Sequence, residues 1–363
     1  CLSPTSSLIH NDVKTQLPCL KILVGNELLP KKPDFWTFKY TRLDDKNNIE
    51  TIEAKEALAR NEDTCILRIS AIFKEAYAAL FRYFILPESK EKSINKLVLT
   101  YPNTYTPVHL KVLEKIARQT FPKVREGYLR FVSESDAVAA YYLKNWDSFN
   151  KGKNINDTET VLVYDMGAGT LDLTLFKKYK NTDGKIAVDI LGKIGTGKAG
   201  NYLDFLISEI IKDKVAGVVS GDKIVSTQAV PDVQTLHKRL ELKEAVKNII
   251  KPKLKTGTTI ECLGHSIDSA IILSDKRFTD YLQQVTSGII KQLLAYINNK
   301  SLTIDTVLMS GRSCRLGAIQ ESLKIFFNKK TGHGTRVLKF HCTGDEEKTA
   351  VVEGAMAQAG IFS

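Results

Sequence analysis

The sequence predicts an α/β protein organised as two lobes, each with a helical elaboration. Short apolar runs alternate with stretches of helical periodicity between residues 96 and 143, the grammar of strand, helix, strand, helix. The same alternation returns between 306 and 360. Between them lie three closely spaced strand-like runs and a long, mostly helical stretch, with no solenoid period. At about 150 residues per domain, 363 residues leave room for two or three domains that each bury a core.

Taken in order, aromatic residues predict a strand at Phe35 to Tyr40, followed by a polar turn at Asp44 to Asn48. From Glu53 the pattern turns helical, with Ile66, Ile69, Ile72, Phe73, Tyr77, Leu80, Phe81 and Phe84 on one face. An apolar strand at Lys96 to Thr100 ends at Tyr101-Pro102. It precedes a helix striped by Leu110, Leu113, Ile116 and Ala117. A strand at Leu129 to Val132 leads through Glu134 into a helix at Ala137 to Leu143, and Asn150 to Thr158 is a polar linker. Strands follow at Val161 to Tyr164, Leu171 to Phe176 and Ile186 to Leu191, then a loop and a helix at Tyr202 to Lys212. After Gly217 to Pro231, which carries Gly, Ser and Pro, the chain reads as helical to residue 300, with strands near Ile260 and Ile271. The end predicts a strand at Thr306 to Met309, a turn at Ser310 to Arg312, a helix at Leu316 to Phe327, a strand at Val337 to Phe340 and a small-residue helix at Ala350 to Gly360.

Composition excludes several classes. With 43% hydrophobic and 26% charged residues, the chain is neither a disordered tail nor collagenous. No apolar run reaches the roughly 20 residues needed to span a bilayer, so no membrane partner is expected. The net charge of +11 invites a nucleic-acid reading. The lysines are scattered, however, and the densest run, Lys247 to Lys255, has no interleaved aromatics for base stacking. A solvated lysine-rich surface is the expectation, with no nucleic-acid partner. Six cysteines without a CxxC pair suggest neither a zinc site nor a disulfide framework, and fit a reducing, cytoplasmic compartment. The opening Cys1-Leu2-Ser3-Pro4 resembles neither a signal peptide nor a natural start, which suggests a fragment of something longer.

Two glycine-bearing loops compete for phosphate chemistry. Tyr164-Asp165-Met166-Gly167-Ala168-Gly169-Thr170-Leu171-Asp172 lies between two apolar strands, at a hairpin tip. Glycines there let main-chain N–H groups approach phosphate oxygens, Thr170 adds a hydroxyl, and Asp165 can hold Mg²⁺ or its waters. A tight turn that needs glycine explains the same spacing. The second, Gly192 to Ala199, matches G-x-x-x-x-G-K but places Ala199 where a P-loop needs a Mg²⁺-binding hydroxyl.

Order separates them. Leu97 to Pro102 resembles a strand ending Val-Pro-Ala-Tyr-Phe, Glu134 to Ala140 resembles Glu-Pro-Thr-Ala-Ala, and Asp165 to Asp172 resembles Asp-Leu-Gly-Gly-Gly-Thr-Phe-Asp. Ala199 to Asp204 is similar to Gly-Gly-Glu-Asp-Phe-Asp, and Glu244 to Lys247 to a ribose-holding Glu-x-x-Lys helix. Leu308 to Arg315 looks like the adenosine loop Leu-Val-Gly-Gly-Ser-Thr-Arg, and Gly354 to Ala359 like Gly-Ala-Ala-x-Gln-Ala. This series, over roughly residues 50 to 363, resembles the nucleotide-binding domain of the DnaK-type heat-shock chaperones, in the actin, sugar kinase and chaperone ATPase superfamily.

The resemblance implies the actin-like ATPase fold, with two α/β lobes around a nucleotide cleft. A first lobe spans 1–157 (about 1–74 outer, 75–157 inner, completed by 344–363). A second spans 158–343 (158–196 and 302–343 inner, 197–301 outer). It implies an ATP-binding, chaperone-like domain, an ATPase with nucleotide-driven lobe closure, that takes ATP or ADP with Mg²⁺ and has a client or partner protein. Asp165, Glu134 and Thr170 take catalytic roles, with Asp165 on the metal. Gly167, Ala168, Gly169, Gly200, Glu244, Lys247, Gly311, Ser313 and Arg315 take the nucleotide. Glu244 and Lys247 read equally as an exposed helical pair, and Asp172, Asp204 and Glu244 each read as solvated carboxylates.

There are departures. Residues 1 to 50 lack the family's Asp-x-Gly-Thr-Thr hairpin, Ala168 replaces a glycine, Asn248 stands where an arginine stacks on adenine, and Arg312 replaces the second glycine of the adenosine loop. A degenerate scaffold that hydrolyses nothing and an actin-like filament subunit therefore stay open as alternatives.

Overall fold

The computed structural model describes residues 39–43, 49–53, 96–124, 127–149, 158–184, 186–215, 241–242, 244–331, 336–339 and 346–359. The helix expected from Ile66 to Phe84, the turn at Asp44 to Asn48 and the Gly217 to Pro231 stretch lie outside them. The chain divides into two compact units, 1–151 with 348–363, and 152–347.

In the first unit, strands β1 (Lys39–Leu43) and β2 (Ile49–Glu53) pair antiparallel. Of the strand expected at Phe35 to Tyr40, residues 35 to 38 lie outside the described residues, Lys39 and Tyr40 begin β1, and Glu53 closes a strand where the sequence suggested a helix start. Strand β3 (Leu97–Tyr101), helix α1 (Pro107–Thr120) and strand β4 (Leu129–Ser133) form a parallel β-α-β unit. Pro107 occupies the first turn of α1, where a missing N–H costs nothing, and Leu113 and Ala117 from its stripe are buried against Leu99. Helix α2 (Glu134–Lys144) follows β4 directly because Ser133 caps it, its side chain accepting from the Asp136 amide at 3.2 Å. A short helix α3 (Trp146–Phe149) packs its rings on Tyr142. The C-terminal helix Glu346–Gln358 crosses α2 so closely that a Cβ on Gly354 would strike the Ala137 carbonyl.

The second unit is built on a five-stranded mixed sheet. Strands β5 (Glu159–Met166), β6 (Leu171–Lys180) and β7 (Ile186–Thr196) form an antiparallel meander. Helix α4 (Gly200–Lys214) follows. A helical run with a π turn at Val246–Ile250 comes next, where the Lys251 amide reaches the Val246 carbonyl. Pro252 explains the widened turn, since it has no amide and its ring crowds the carbonyl four residues back.

The hairpin β8 (Thr259–Cys262) and β9 (His265–Asp268) turns at Leu263-Gly264, both at positive φ. Helices α5 (Ser269–Leu273), α6 (Lys276–Gln283) and α7 (Ile289–Tyr296) precede β10 (Thr306–Ser310), helix α8 (Gly317–Thr331) and β11 (Arg336–Lys339). Ile271 is thus helical, and the strand expected there is β9, cut short by Asp268, whose carboxylate caps α5.

Strands β11, β10 and β5 run parallel, in the order β11-β10-β5-β6-β7. Leu162, Tyr164 and Met166, Leu171, Leu173 and Leu175, and Val307 and Met309 enter one large core. There they join Leu203, Ile207 and Ile211 of α4 and Ile319, Leu323 and Phe327 of α8. The intervening residues of each strand turn to the opposite sheet face.

Candidate functional site

At the carboxyl ends of β5 and β10, where open α/β sheets take ligands, three loops meet. The first is the β5–β6 hairpin. Asp165 is in register with Asp172 and Met166 with Leu171, and the turn is closed by the Gly167 amide on the Thr170 carbonyl at 2.9 Å. Its tip stays accessible, with Ala168 exposed and Gly167, Gly169 and Thr170 half-buried. Ala168 is not among the described non-glycine residues with positive φ, which are Leu263 and Asn298, so its methyl group does not strain the loop.

The second is the start of α4. The amides of Gly200 and Asn201 donate to the carbonyls of Gly167 (3.1 Å) and Ala168 (2.7 Å). Gly200 is required by contact, since a Cβ there would run into Ser313 Oγ and come within 2.9 Å of the Gly167 carbonyl. The Ala199 carbonyl accepts from the buried Tyr281 phenol at 3.2 Å, and burial raises that phenol far above its usual range, so it remains a donor.

The third is Gly311 to Arg315, after β10. Gly311 has φ 82°, and a Cβ on it would collide with the Met166 carbonyl and come within 2.8 Å of Asp165 Oδ1. Ser313 donates its hydroxyl to the Gly167 carbonyl at 2.9 Å, clamping the third loop to the first. The Asp165 and Gly311 loops therefore touch.

Asp165 is 6% exposed, Asp172 1% and Ser310 1%. Asp172 is thus no solvated carboxylate. It sits opposite Asp165, which in turn sits opposite Ser310. Asp204 is also buried, held by Lys251 at 2.6 Å, so one lysine of the Lys247 to Lys255 run is an internal counter-ion rather than part of a solvated surface. That bridge ties the helical run carrying Glu244 and Lys247 to α4. Glu244 is exposed and accepts from Asn248 Nδ2 at 3.0 Å, and Lys247 and Arg315 are exposed. Glu134 lies in the first unit, 8% exposed, in the first turn of α2, where the helix dipole favours a carboxylate.

Most of the rival glycine motif is not a loop. Gly192 to Thr196 belongs to β7, with Gly195 opposite Asp172 and a register shift beside Gly192. A Cβ on Gly192 would meet Ile297 and come within 3.2 Å of Leu293, so that glycine serves helix packing. Lys198 bonds Gln284 Oε1 at 3.1 Å and lies over the Tyr202 ring.

Two groups carry no signal in the sequence. Among the described residues, the buried Ser310 Oγ has no hydrogen-bond partner, and Tyr281 reaches the α4 start from 82 residues away. A strand end with two buried carboxylates, a spare hydroxyl and a glycine-lined cradle fits a hydrated divalent cation with a phosphate on it. Among the described residues no group of three or more His, Cys, Asp and Glu offers a denser metal site, and no helix is long and apolar enough to cross a membrane.

These features define an α/β protein whose sheet brings three loops together at the carboxyl ends of β5 and β10. A family model described as Hsp70 protein matches residues 93–363, and the chain belongs to that family. The expected kinship with the chaperone nucleotide-binding domains holds: the matched region is a chaperone-type ATP-binding domain of the actin-like ATPase fold. Members of the family bind ATP and ADP with Mg²⁺ and act on client proteins.

Proposed function

We propose that this chain binds an adenine nucleotide with its Mg²⁺ at the carboxyl ends of β5 and β10, and couples that binding to a client protein. The supporting observation is the convergence of the three loops on the Gly167 carbonyl, through Gly200 and Ser313. In this reading the main-chain N–H groups at Ala168 and Gly169 face phosphate oxygens, Gly167, whose amide closes the turn on Thr170, holds the hairpin's shape, and Thr170 positions the terminal phosphoryl group. Gly200, Gly311 and Ser313 hold the cradle's shape. Asp165 binds the metal or its waters, and Glu134, from the first unit, orders further waters. Glu244 and Lys247 take the ribose, and Arg315 the adenosine side. Bound Mg²⁺ supplies neutralisation of phosphate charge.

ATP hydrolysis and closure of the two lobes on nucleotide belong to the same proposal. So does a cytoplasmic setting, which the buried free thiols of Cys262 and Cys314 support. Residues 1 to 50 carry no Asp-x-Gly-Thr-Thr, so within residues 1 to 363 the clamp on the terminal phosphate rests on the hairpin, and this stretch of chain binds ADP and ATP with similar, weak affinity.

Calorimetric titration of ADP and ATP, each with Mg²⁺, tests this. The expected result is comparable binding of both, abolished in Asp165→Asn. No heat with either nucleotide would overturn the proposal.

A further inference from the structure

We infer that the Ser310 hydroxyl is an oxygen ligand of the divalent cation held beside Asp165 and Asp172, an inference that rests on the nucleotide-site reading above. Ser310 ends β10 and is 1% exposed, yet its Oγ has no hydrogen-bond partner among the described residues. A serine hydroxyl donates once and accepts twice, and burying it unpaired forfeits its bonds to water without replacement. Its own backbone carbonyl, by contrast, is engaged by Cys314 Sγ at 2.8 Å.

The sheet shows where the hydroxyl is directed. Ser310 is in parallel register with Asp165, and Asp165 in antiparallel register with Asp172. Their neighbours Met309, Tyr164, Met166, Leu171 and Leu173 enter the core on one face. Ser310, Asp165 and Asp172 therefore stand in one row on the other face, at the ends of three adjacent strands spaced about 4.8 Å apart.

Side chains in such a row converge on a single ion. Two carboxylates opposed in register repel each other, which a nearby cation relieves and an anion in direct contact with them would worsen. Carboxylate and hydroxyl oxygens are hard donors, which suit Mg²⁺ or Mn²⁺ and not a thiolate-preferring metal. In this geometry the hydroxyl gives a lone pair to the cation and its proton to a neighbouring carboxylate oxygen. Its donor and one of its two acceptor sites are then used.

The test is calorimetric titration of ADP into the wild-type chain, Ser310→Ala and Ser310→Gly, in EDTA and in Mg²⁺, with Mn²⁺ alone titrated into the same proteins by electron paramagnetic resonance. Both variants should bind ADP in EDTA as the wild type does, while the gain in affinity on adding Mg²⁺ falls about tenfold, the size of one lost contact to a charged partner. Mn²⁺ affinity should fall by a similar factor. An undiminished Mg²⁺ gain in both variants would overturn the inference, as would an equal loss in EDTA and in Mg²⁺, which marks a packing role. Should wild-type protein bind no ADP, the nucleotide reading fails. The cation ligand then stands if Mn²⁺ binding is present and depends on Ser310, and falls if it is absent.

Discussion

Replacing Gly311 by alanine puts a methyl group where three loops meet, and the cost has two separable parts. With φ 82° and ψ 142°, Gly311 lies in a region that L-residues occupy only under strain, worth about 1–3 kcal/mol. The added Cβ also collides with the Met166 carbonyl and lies 2.8 Å from Asp165 Oδ1. The first neighbour is backbone at the end of the sheet's central strand, where the hairpin begins, so relief requires moving the hairpin, at about 1–3 kcal/mol for overpacking.

The sum is about 4 kcal/mol. For a unit of this size each kcal/mol lowers Tm by about 2–4 °C, so a fall of about 12 °C is expected. Gly257→Ala provides the control: φ is 72° there and nothing lies within 4 Å of an added Cβ, so only the strain remains, at about 1 kcal/mol. Scanning calorimetry of both variants, with ADP titration beside it, measures the difference. Gly311→Ala melting within roughly 2 °C of Gly257→Ala would refute the claim that the third loop is seated against the hairpin.

Other outcomes follow from the same geometry. Lys251→Met strands the buried Asp204 and should cost about 3–5 kcal/mol in urea unfolding, largely recovered in Lys251→Met/Asp204→Leu. Asp275 accepts two guanidinium hydrogen bonds from Arg277, which lower its carboxyl pKa to about 2. Its folded pKa is below the unfolded value, so the stability it contributes is present above about pH 4 and lost as pH falls through about 2. Asp275→Asn keeps a helix cap but loses the ion pair, and its deficit against wild type should shrink over that window. Ala199→Ser should add no Mg²⁺-dependent ATP turnover beyond that of the wild type, because that position is 0% exposed and follows a strand, not a phosphate loop.

Much of the second unit was legible in the sequence because its strands are short apolar runs bounded by punctuation. The hairpin Asp165 to Asp172 and its neighbour at Gly311 could be read from residue type and order. What stayed hidden depends on partners distant in sequence. Asp204 looks like any surface carboxylate until Lys251 is brought to it, and Gly192 looks like a phosphate-loop glycine until Ile297 packs over it. The β8–β9 hairpin turns on Leu263 at φ 51°, where Asn or Asp gives the usual signal, so the sequence pattern points to a strand near Ile271, several residues past β9. Ser310 is ordinary in sequence, and only its burial without a partner among the described residues distinguishes it.

Hydrogen–deuterium exchange with and without Mg²⁺-ADP tests the central claim most directly. Binding should slow exchange together in peptides covering 165–171, 198–203 and 310–316, and leave the β7 segment 186–194 unchanged. Protection confined to Gly192 to Ala199, or absent from the Asp165 hairpin while nucleotide is bound, would contradict a site built from these three loops.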